Sequence, residues 1–312
     1  MPQRLCGQTV LVTGASGFIG SHLCRRLCGM GAAVHAVSRT GAGEAEGCVR
    51  WWQGDLADPG TVQKLMAAVR PEVIFHLAGY PVGRREVEQV FPSFQSNLAS
   101  TVNVLVAAAQ VDCRRILLAG SLEEPKGGGA PGSPYTAAKA ASSAYGRMFH
   151  LLYGLPVVIP RIGMVYGPGQ EDCRKLVPYV ILNALRGKSP RLTSGTREVD
   201  WIYIEDVVDA LAAAAGAEGI DGESFDVASG ETVAIRGVVE RIITLARPGL
   251  AAEFGAVADR PLEAPHWADA GRTASLIGWR ATTPLEEGLR RTVEWYAGEY
   301  PPPKRAGRVG GY

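Results

Sequence analysis

Two hydrophobic patterns alternate through the first half of the chain. Short runs that are apolar at nearly every position, such as Val10-Leu11-Val12, Val73-Ile74-Phe75 and Ile116-Leu117-Leu118, read as strands buried on both faces. Between them lie longer segments with apolar residues three or four apart, the spacing of one helix face. The patterns predict strands at 9–13, 33–38, 49–54, 73–78, 116–119 and 156–160, with helices at 20–30, 59–69, 95–110 and 134–153. From about Leu176 the pattern loosens into a helix at 177–186, an apolar segment at 199–204, a helix at 206–215, a short strand at 224–228 and a last helix at 284–296.

Strands that alternate with helices pair in parallel and are covered on both faces, because each return crossing lays a helix on the sheet. The expected fold class is therefore α/β, a Rossmann-like doubly wound parallel sheet with a smaller C-terminal α/β lobe. Residues 1–175 form the sheet domain, to which part of 199–235 returns, and 176–300 form mainly the substrate-binding lobe, over the carboxyl ends of the strands. The Pro-, Gly- and Arg-rich residues 301–312 read as a flexible tail.

With 312 residues, 46% hydrophobic and 20% charged, the chain can bury a full core. A net charge of +1, with one modest basic stretch at Lys304–Arg308, gives no field that would gather nucleic acid or an anionic membrane. Apolar stretches break well before the roughly 20 residues of a membrane span, and the start of the chain lacks a signal pattern, so a cytoplasmic protein is expected. The six cysteines, at 6, 24, 28, 48, 113 and 173, include no Cys-x-x-Cys pair and suggest neither a metal site nor a disulfide framework. Cys24 and Cys28, on one helix face, read as small buried hydrophobes.

Candidate chemistry begins at Thr13-Gly14-Ala15-Ser16-Gly17-Phe18-Ile19-Gly20, directly after the first strand. Gly14 permits a tight turn, Gly17 leaves room for a pyrophosphate, and Gly20 lets the helix close on the strand. Ser16, Phe18 and Ile19 complete the loop and the first helical turn, whose N–H groups and positive dipole end suit an anion. A dinucleotide is the expected ligand.

Tyr135 and Lys139 are four residues apart at the start of an alanine-rich helix, on one face. A phenol ionises near pH 10, so it serves as an acid or base near neutrality only beside a cation, which Lys139 would supply. Ser121 follows the strand at 116–119, at the end where the site opens, and is placed to hold a substrate oxygen beside Tyr135. Glu123 is either an additional acid/base or sugar-hydroxyl contact, or a solvated loop carboxylate. His76, at a strand end, reads as structural, and His22 as a partner of backbone or phosphate.

These residues, with Gly54-Asp55-Leu56, His76-Leu77-Ala78-Gly79, Asn97, the run from Pro160 to Gly169 and Arg197 to Asp206, resemble the extended short-chain dehydrogenases/reductases. The resemblance lies with their nucleotide-sugar epimerase/dehydratase/ketoreductase group and covers nearly the whole length. It implies that Asp55 and Leu56 border the adenine, that Leu77, Ala78 and Gly79 line the dinucleotide, and that Pro160 and Ile162 sit near the carboxamide. It also implies that Lys139 holds the ribose hydroxyls, that Arg197 and Arg260 contact the sugar nucleotide, and that the chain forms a homodimer through the helices at 95–110 and 134–153.

The second strand ends in Ser38-Arg39, without the carboxylate that NAD enzymes of this fold use to hold the ribose. That pair suits the 2′-phosphate of NADP(H); stacking of Arg39 on the adenine, compatible with NAD, is the alternative. Dehydratases of the group follow their catalytic hydroxyl residue with Asp-Glu, where this chain has Leu122-Glu123, so the proton donor for water loss is missing. The chain as a whole is similar to actinobacterial nucleoside-diphosphate 4-keto-6-deoxyhexose 4-ketoreductases of antibiotic-sugar pathways. The expected reaction is NADPH-dependent reduction of a C4 ketone, with Tyr135 as proton donor and Ser121 orienting the carbonyl. A 4-epimerase is the near alternative, ahead of a 4,6-dehydratase or a non-catalytic nucleotide sensor.

Overall fold

The computed structural model describes residues 5–40, 47–127, 129–260 and 267–300, so the tail expected at 301–312 lies outside the described residues. The chain runs through β1 (Thr9–Thr13), α1 (Phe18–Gly29), β2 (Ala33–Ser38), β3 (Val49–Gln53), α2 (Pro59–Val69) and β4 (Val73–His76). Next come α3 (Val90–Ser93), a π-helical segment (Phe94–Ala99), α4 (Ser100–Ala108), β5 (Arg115–Leu118), β6 (Gly120–Ser121), α5 (Pro134–Tyr153), β7 (Val157–Ile162) and β8 (Met164–Tyr166). The remainder holds α6 (Leu176–Leu185), β9 (Arg191–Leu192), β10 (Glu198–Tyr203), α7 (Ile204–Gly216), β11 (Ser224–Val227) and β12 (Thr232–Ala234). It closes with α8 (Ile235–Ala246), β13 (Glu253–Phe254), α9 (Ala270–Ile277) and α10 (Leu285–Glu299).

Two units divide these elements: Met1–Val165 with Asp200–Glu231 and His266–Thr282, and Tyr166–Val199 with Thr232–Pro265 and Thr283–Tyr312. The first boundary thus falls before the expected 175, and 266–282 joins the sheet unit rather than the lobe. The cause is Asp226 on β11, whose carboxylate accepts the Asp269 N–H at 3.0 Å and whose carbonyl accepts the Thr273 hydroxyl at 2.6 Å. These bonds tie α9 to a strand distant in sequence.

In the first unit the sheet order is β3-β2-β1-β4-β5-β7-β11, with β6 beside β7, and the pairings are parallel. The chain winds outward from β1 to β3, then returns to β4 on the other side of β1. That reversal opens a crevice at the carboxyl ends of β1 and β4, where the glycine loop sits. The central strands are apolar throughout because both faces are covered, and Val10, Leu11, Val12, Ile74 and Phe75 are fully buried. One face packs against α2, α4 and α5 through Val62, Leu65, Met66, Leu105 and Phe149.

Local signals explain where α5 starts and stops. Ser133 caps its N-terminus by accepting the Thr136 N–H while the Thr136 hydroxyl accepts the Ser133 N–H, Pro134 opens the first turn, and Gly154 ends it in a left-handed cap. Its inward face is small because the sheet lies close: a Cβ at Gly146 would sit 2.9 Å from Leu118 Cδ2.

Three expectations change. The single helix expected at 95–110 is α3, a π-helical segment and α4. Asn97 inside the wide turn explains it: its amide group accepts the Tyr80 N–H and donates to Ser93 Oγ, while its carbonyl accepts the hydroxyls of Thr101 and Ser142. Helices α8 and α9 were not expected at all. Cys28 is not a buried free thiol but forms a disulfide with Cys48, with Cα atoms 5.7 Å apart. The register that pairs Val34 with Val49 brings the residue before β3 beside the end of α1, a proximity that spacing in the sequence does not reveal. Closing a span of 20 residues removes about 3 kcal/mol of denatured-chain entropy. Among the described residues no helix is long and apolar enough to cross a membrane, and no cluster of metal-binding side chains occurs.

Candidate active site

The turn after β1 is closed to side chains. Gly14 adopts φ +67°, and a Cβ there would lie 2.7 Å from the Ala78 nitrogen; a Cβ at Gly20 would lie 2.8 Å from Ala15 Cα. Gly17 is the N-cap of α1, offers its amides no side-chain acceptor, and no acidic residue enters the first turn. Free N–H groups, a positive helix end and absent side chains fit a pyrophosphate. Ser16 is exposed at the tip, and Phe18 and Ile19 are half-buried in the first turn.

A buried chain of hydrogen bonds locks this turn to β4. The Ala78 N–H donates to Thr13 Oγ1 at 3.1 Å, Thr13 Oγ1 lies 2.8 Å from His76 Nδ1, and His76 Nε2 lies 3.1 Å from Thr101 Oγ1. Because the Thr101 hydroxyl donates to the Asn97 carbonyl, proton accounting places the imidazole proton on Nε2. Burial, reinforced by the Lys139 charge, lowers the His76 pKa to about 3, so the ring stays neutral and structural. His22 Nδ1 bonds to the Phe18 carbonyl at 2.9 Å, a backbone partner.

Further along the crevice, Ser38 ends β2 at 6% exposure, and its hydroxyl has no hydrogen-bond partner among the described residues. Arg39 beside it is exposed. An orphaned buried hydroxyl next to a cation fits the ribose end of a dinucleotide. The Asp55 carboxylate accepts the Ala57 N–H at 3.0 Å, so it shapes its own turn, while Leu56 is buried. Leu77 and Ala78 are half-buried and Gly79 is exposed. Pro160 and Ile162 are buried in β7, whose register sets Ile162 beside Ser121.

Ser121 closes β6, and Tyr135 and Lys139 project one turn apart from the first half of α5. The Lys139 Nζ donates to the Ala119 carbonyl at 2.7 Å. Burial lowers the Lys139 pKa to about 8, with Glu124 acting in the opposite sense, so the ammonium persists at neutrality and is lost above that value. Burial raises the Tyr135 pKa, a hydrogen bond with the Ser121 side chain opposes the rise, and Glu123 and Glu124 add to it. The structure thus joins the Tyr135 phenol to the Ser121 hydroxyl, with Lys139 one helical turn along α5 and bonded to the strand end just before Ser121.

Sequence reasoning passed over Glu124. Its carboxylate, in a residue 7% exposed, accepts the Ser121 N–H at 2.7 Å, whereas the Glu123 backbone N–H donates to Ser121 Oγ at 3.2 Å. A second glutamate in a glycine-rich loop gives no sequence signal of burial. Leu122 is buried at 4% exposure.

The second unit holds the other two candidates. Arg197 is half-buried and its carbonyl accepts the Ile235 N–H at 3.0 Å, while Arg260 is exposed. Nearby in that unit, the Arg236 guanidinium lies 3.8 Å from the centre of the Phe254 ring.

The profile of the NAD dependent epimerase/dehydratase family matches residues 10–228. The chain is 32% identical to a probable dTDP-glucose 4,6-dehydratase of Sinorhizobium fredii, over 92% of each chain. Among solved structures it resembles a Thermus thermophilus UDP-glucose 4-epimerase in complex with NAD, with 29% identity, a TM-score of 0.82, and 93% of this chain and 99% of that one covered. A Thermotoga maritima UDP-glucose 4-epimerase, 23% identical, gives a TM-score of 0.85 over 93% and 99% of the two chains, a likeness of fold. With the glycine turn, the parallel sheet and a matched segment spanning well over half of its length, the chain belongs to the NAD dependent epimerase/dehydratase family, enzymes that act with a nicotinamide cofactor.

Proposed function

We propose that the chain is a cytoplasmic ketoreductase that uses NADPH to reduce the C4 ketone of a nucleoside-diphosphate 4-keto-6-deoxyhexose, dTDP-linked, in deoxysugar biosynthesis. The observation that carries this reading is the end of β2, where the Ser38 hydroxyl, unpaired among the described residues, and the neighbouring Arg39 would offer a 2′-phosphate a donor and a cation in place of a carboxylate. Leu122 supports it, since a buried leucine beside Ser121 has no proton to give to a departing hydroxyl.

The group Gly14 to Gly20 would hold the pyrophosphate, Ser38 and Arg39 the phosphorylated ribose, and Lys139 the nicotinamide ribose. When bound, the reduced nicotinamide supplies a hydride to the carbonyl carbon. Ser121 donates a hydrogen bond to the carbonyl oxygen, and Tyr135 gives its phenolic proton to the alkoxide that forms. The Lys139 ammonium stabilises the phenolate left behind. Arg197 and Arg260, both in the second unit, carry guanidinium forks of the kind that suits a diphosphate.

Mixing the protein with dTDP-4-keto-6-deoxyglucose and NADPH should oxidise one NADPH per product. Product formed without NADPH loss would make the protein an epimerase instead. Ser38→Asp should weaken NADPH about 100-fold through repulsion of the 2′-phosphate, with NADH little affected. Equal loss for both cofactors would remove the NADP assignment.

A homodimer belongs to the same reading. Val87, Phe91 and Phe94 lie exposed, as do Tyr145 and Leu152 on the adjoining α5, and Phe91 is 74% exposed. Apolar surface of this kind on packed helices suits a second copy. Phe91→Glu should convert a dimer to a monomer in analytical ultracentrifugation; a wild-type chain that sediments as a monomer rejects the dimer.

A further inference from the structure

We propose that Glu124 is a positioning residue for the Ser121, Tyr135 and Lys139 group: its carboxylate fixes the strand end that bears Ser121 and sets the negative charge that Lys139 faces inside the protein. The inference rests on reading those three residues as the reacting group.

Geometry supports it first. The Glu124 Oε1 accepts the Ser121 N–H at 2.7 Å, and the Glu124 N–H donates to the Ser121 carbonyl at 3.1 Å, so the turn from 121 to 124 is closed twice. A Cβ at Gly120 would lie 2.8 Å from that same Oε1, so the carboxylate occupies the space a side chain at 120 would need. A glutamate folded back under its own turn leaves the Ser121 backbone, which carries the hydroxyl, little freedom.

Charge supports it second. The titratable and charged groups around Glu124 are Tyr135 and Lys139 from α5, Arg161 from β7 and the neighbouring Glu123, with the Ser143 hydroxyl of α5 also facing it. Arg161 pairs through Nη2 with Asp226 Oδ1 at 2.6 Å, and of the two cations Lys139 acts on Glu124 the more strongly. Burial raises the Glu124 pKa, while Lys139 and Arg161 oppose the rise. Its negative charge in turn raises the pKa values of both Tyr135 and Lys139. Neutralising Glu124 therefore lowers both. In the reductive direction Tyr135 gives up a proton, so activity falls as pH rises through this group, and the fall must begin at lower pH.

The test is kcat and KM against pH for the wild type, Glu124→Gln, Glu124→Asp and Tyr135→Phe, with NADPH and dTDP-4-keto-6-deoxyglucose. Glu124→Gln keeps an acceptor for the Ser121 N–H and loses the charge. Its kcat should fall about 10-fold, with KM values within roughly threefold and the high-pH limb lowered by about one unit. Glu124→Asp keeps the charge and withdraws it by one methylene, so its kcat should fall while the limb stays at the wild-type pH. A Glu124→Gln enzyme with an unmoved limb and only a lower melting temperature makes Glu124 a structural turn residue and overturns the proposal. If Glu124→Gln does not fold, Glu124→Asp decides: a displaced limb or an unchanged kcat overturns it. Inactive Tyr135→Phe with an unmoved Glu124→Gln limb rejects the Glu124 role alone. Equal turnover by Tyr135→Phe and wild type rejects the reacting group and this proposal with it.

Discussion

Replacing Tyr135 by phenylalanine is expected to lower kcat about a thousandfold while leaving the NADPH dissociation constant within roughly twofold. The substitution removes one hydroxyl from a half-buried ring at the start of α5 and keeps its packing. What disappears is the proton for the alkoxide and the hydrogen bond with Ser121. Lys139, bonded to the Ala119 carbonyl, stays where it is, so the hold on ribose hydroxyls proposed for it would persist. Steady-state turnover and a fluorescence titration of NADPH check the two halves separately. Undiminished turnover would remove Tyr135 from the chemistry, and lost cofactor affinity would make it a binding residue.

Gly14→Ala should abolish cofactor binding and lower stability by about 2–4 kcal/mol. An alanine at φ +67° is strained, and its methyl would lie 2.7 Å from the Ala78 nitrogen and 2.8 Å from Ala78 Cα. Those atoms cannot retreat cheaply, because the Ala78 N–H is bonded to Thr13 Oγ1, which is bonded to buried His76. Relief requires the ends of β1 and β4 to part, which opens the crevice at the point where the pyrophosphate would rest. Gly17→Ala is the internal control: its φ is −80° and its Cβ would meet only the Gly14 carbonyl, at 3.2 Å. Its melting temperature should stay near that of the wild type. Thermal melts and NADPH titrations of the two variants test the pair, and a Gly14→Ala protein as stable as Gly17→Ala and the wild type would show that the turn tolerates a side chain at 14.

Much of this molecule is legible in its amino acids because the information is local. The strand β1 and the helices α2 and α5 lie where apolar spacing, Asp58, Ser133 and the prolines that follow place them. Tyr135 and Lys139 share a face because a helix turns every 3.6 residues, whatever it packs against. Helix α9 also had its signals, an Asp269 cap and Gly278 in a left-handed turn, yet eight residues with Thr273 and Ile277 alone buried are too few for a periodic reading. Helix α8 buries Val238, Val239, Ile242 and Ile243 but starts without a side-chain cap.

The sequence by itself determined the alternating strands and helices, the glycine turn and the placing of Tyr135 and Lys139 on one helix face, since each depends on neighbours a few bonds apart. Tertiary structure alone decided that Glu124 rather than Glu123 folds under Ser121, that Cys28 meets Cys48, that Asn97 widens its helix, and that α9 belongs with β11. Each of those choices depends on which strands pair and in what register, and register is fixed by the whole sheet closing its core at once.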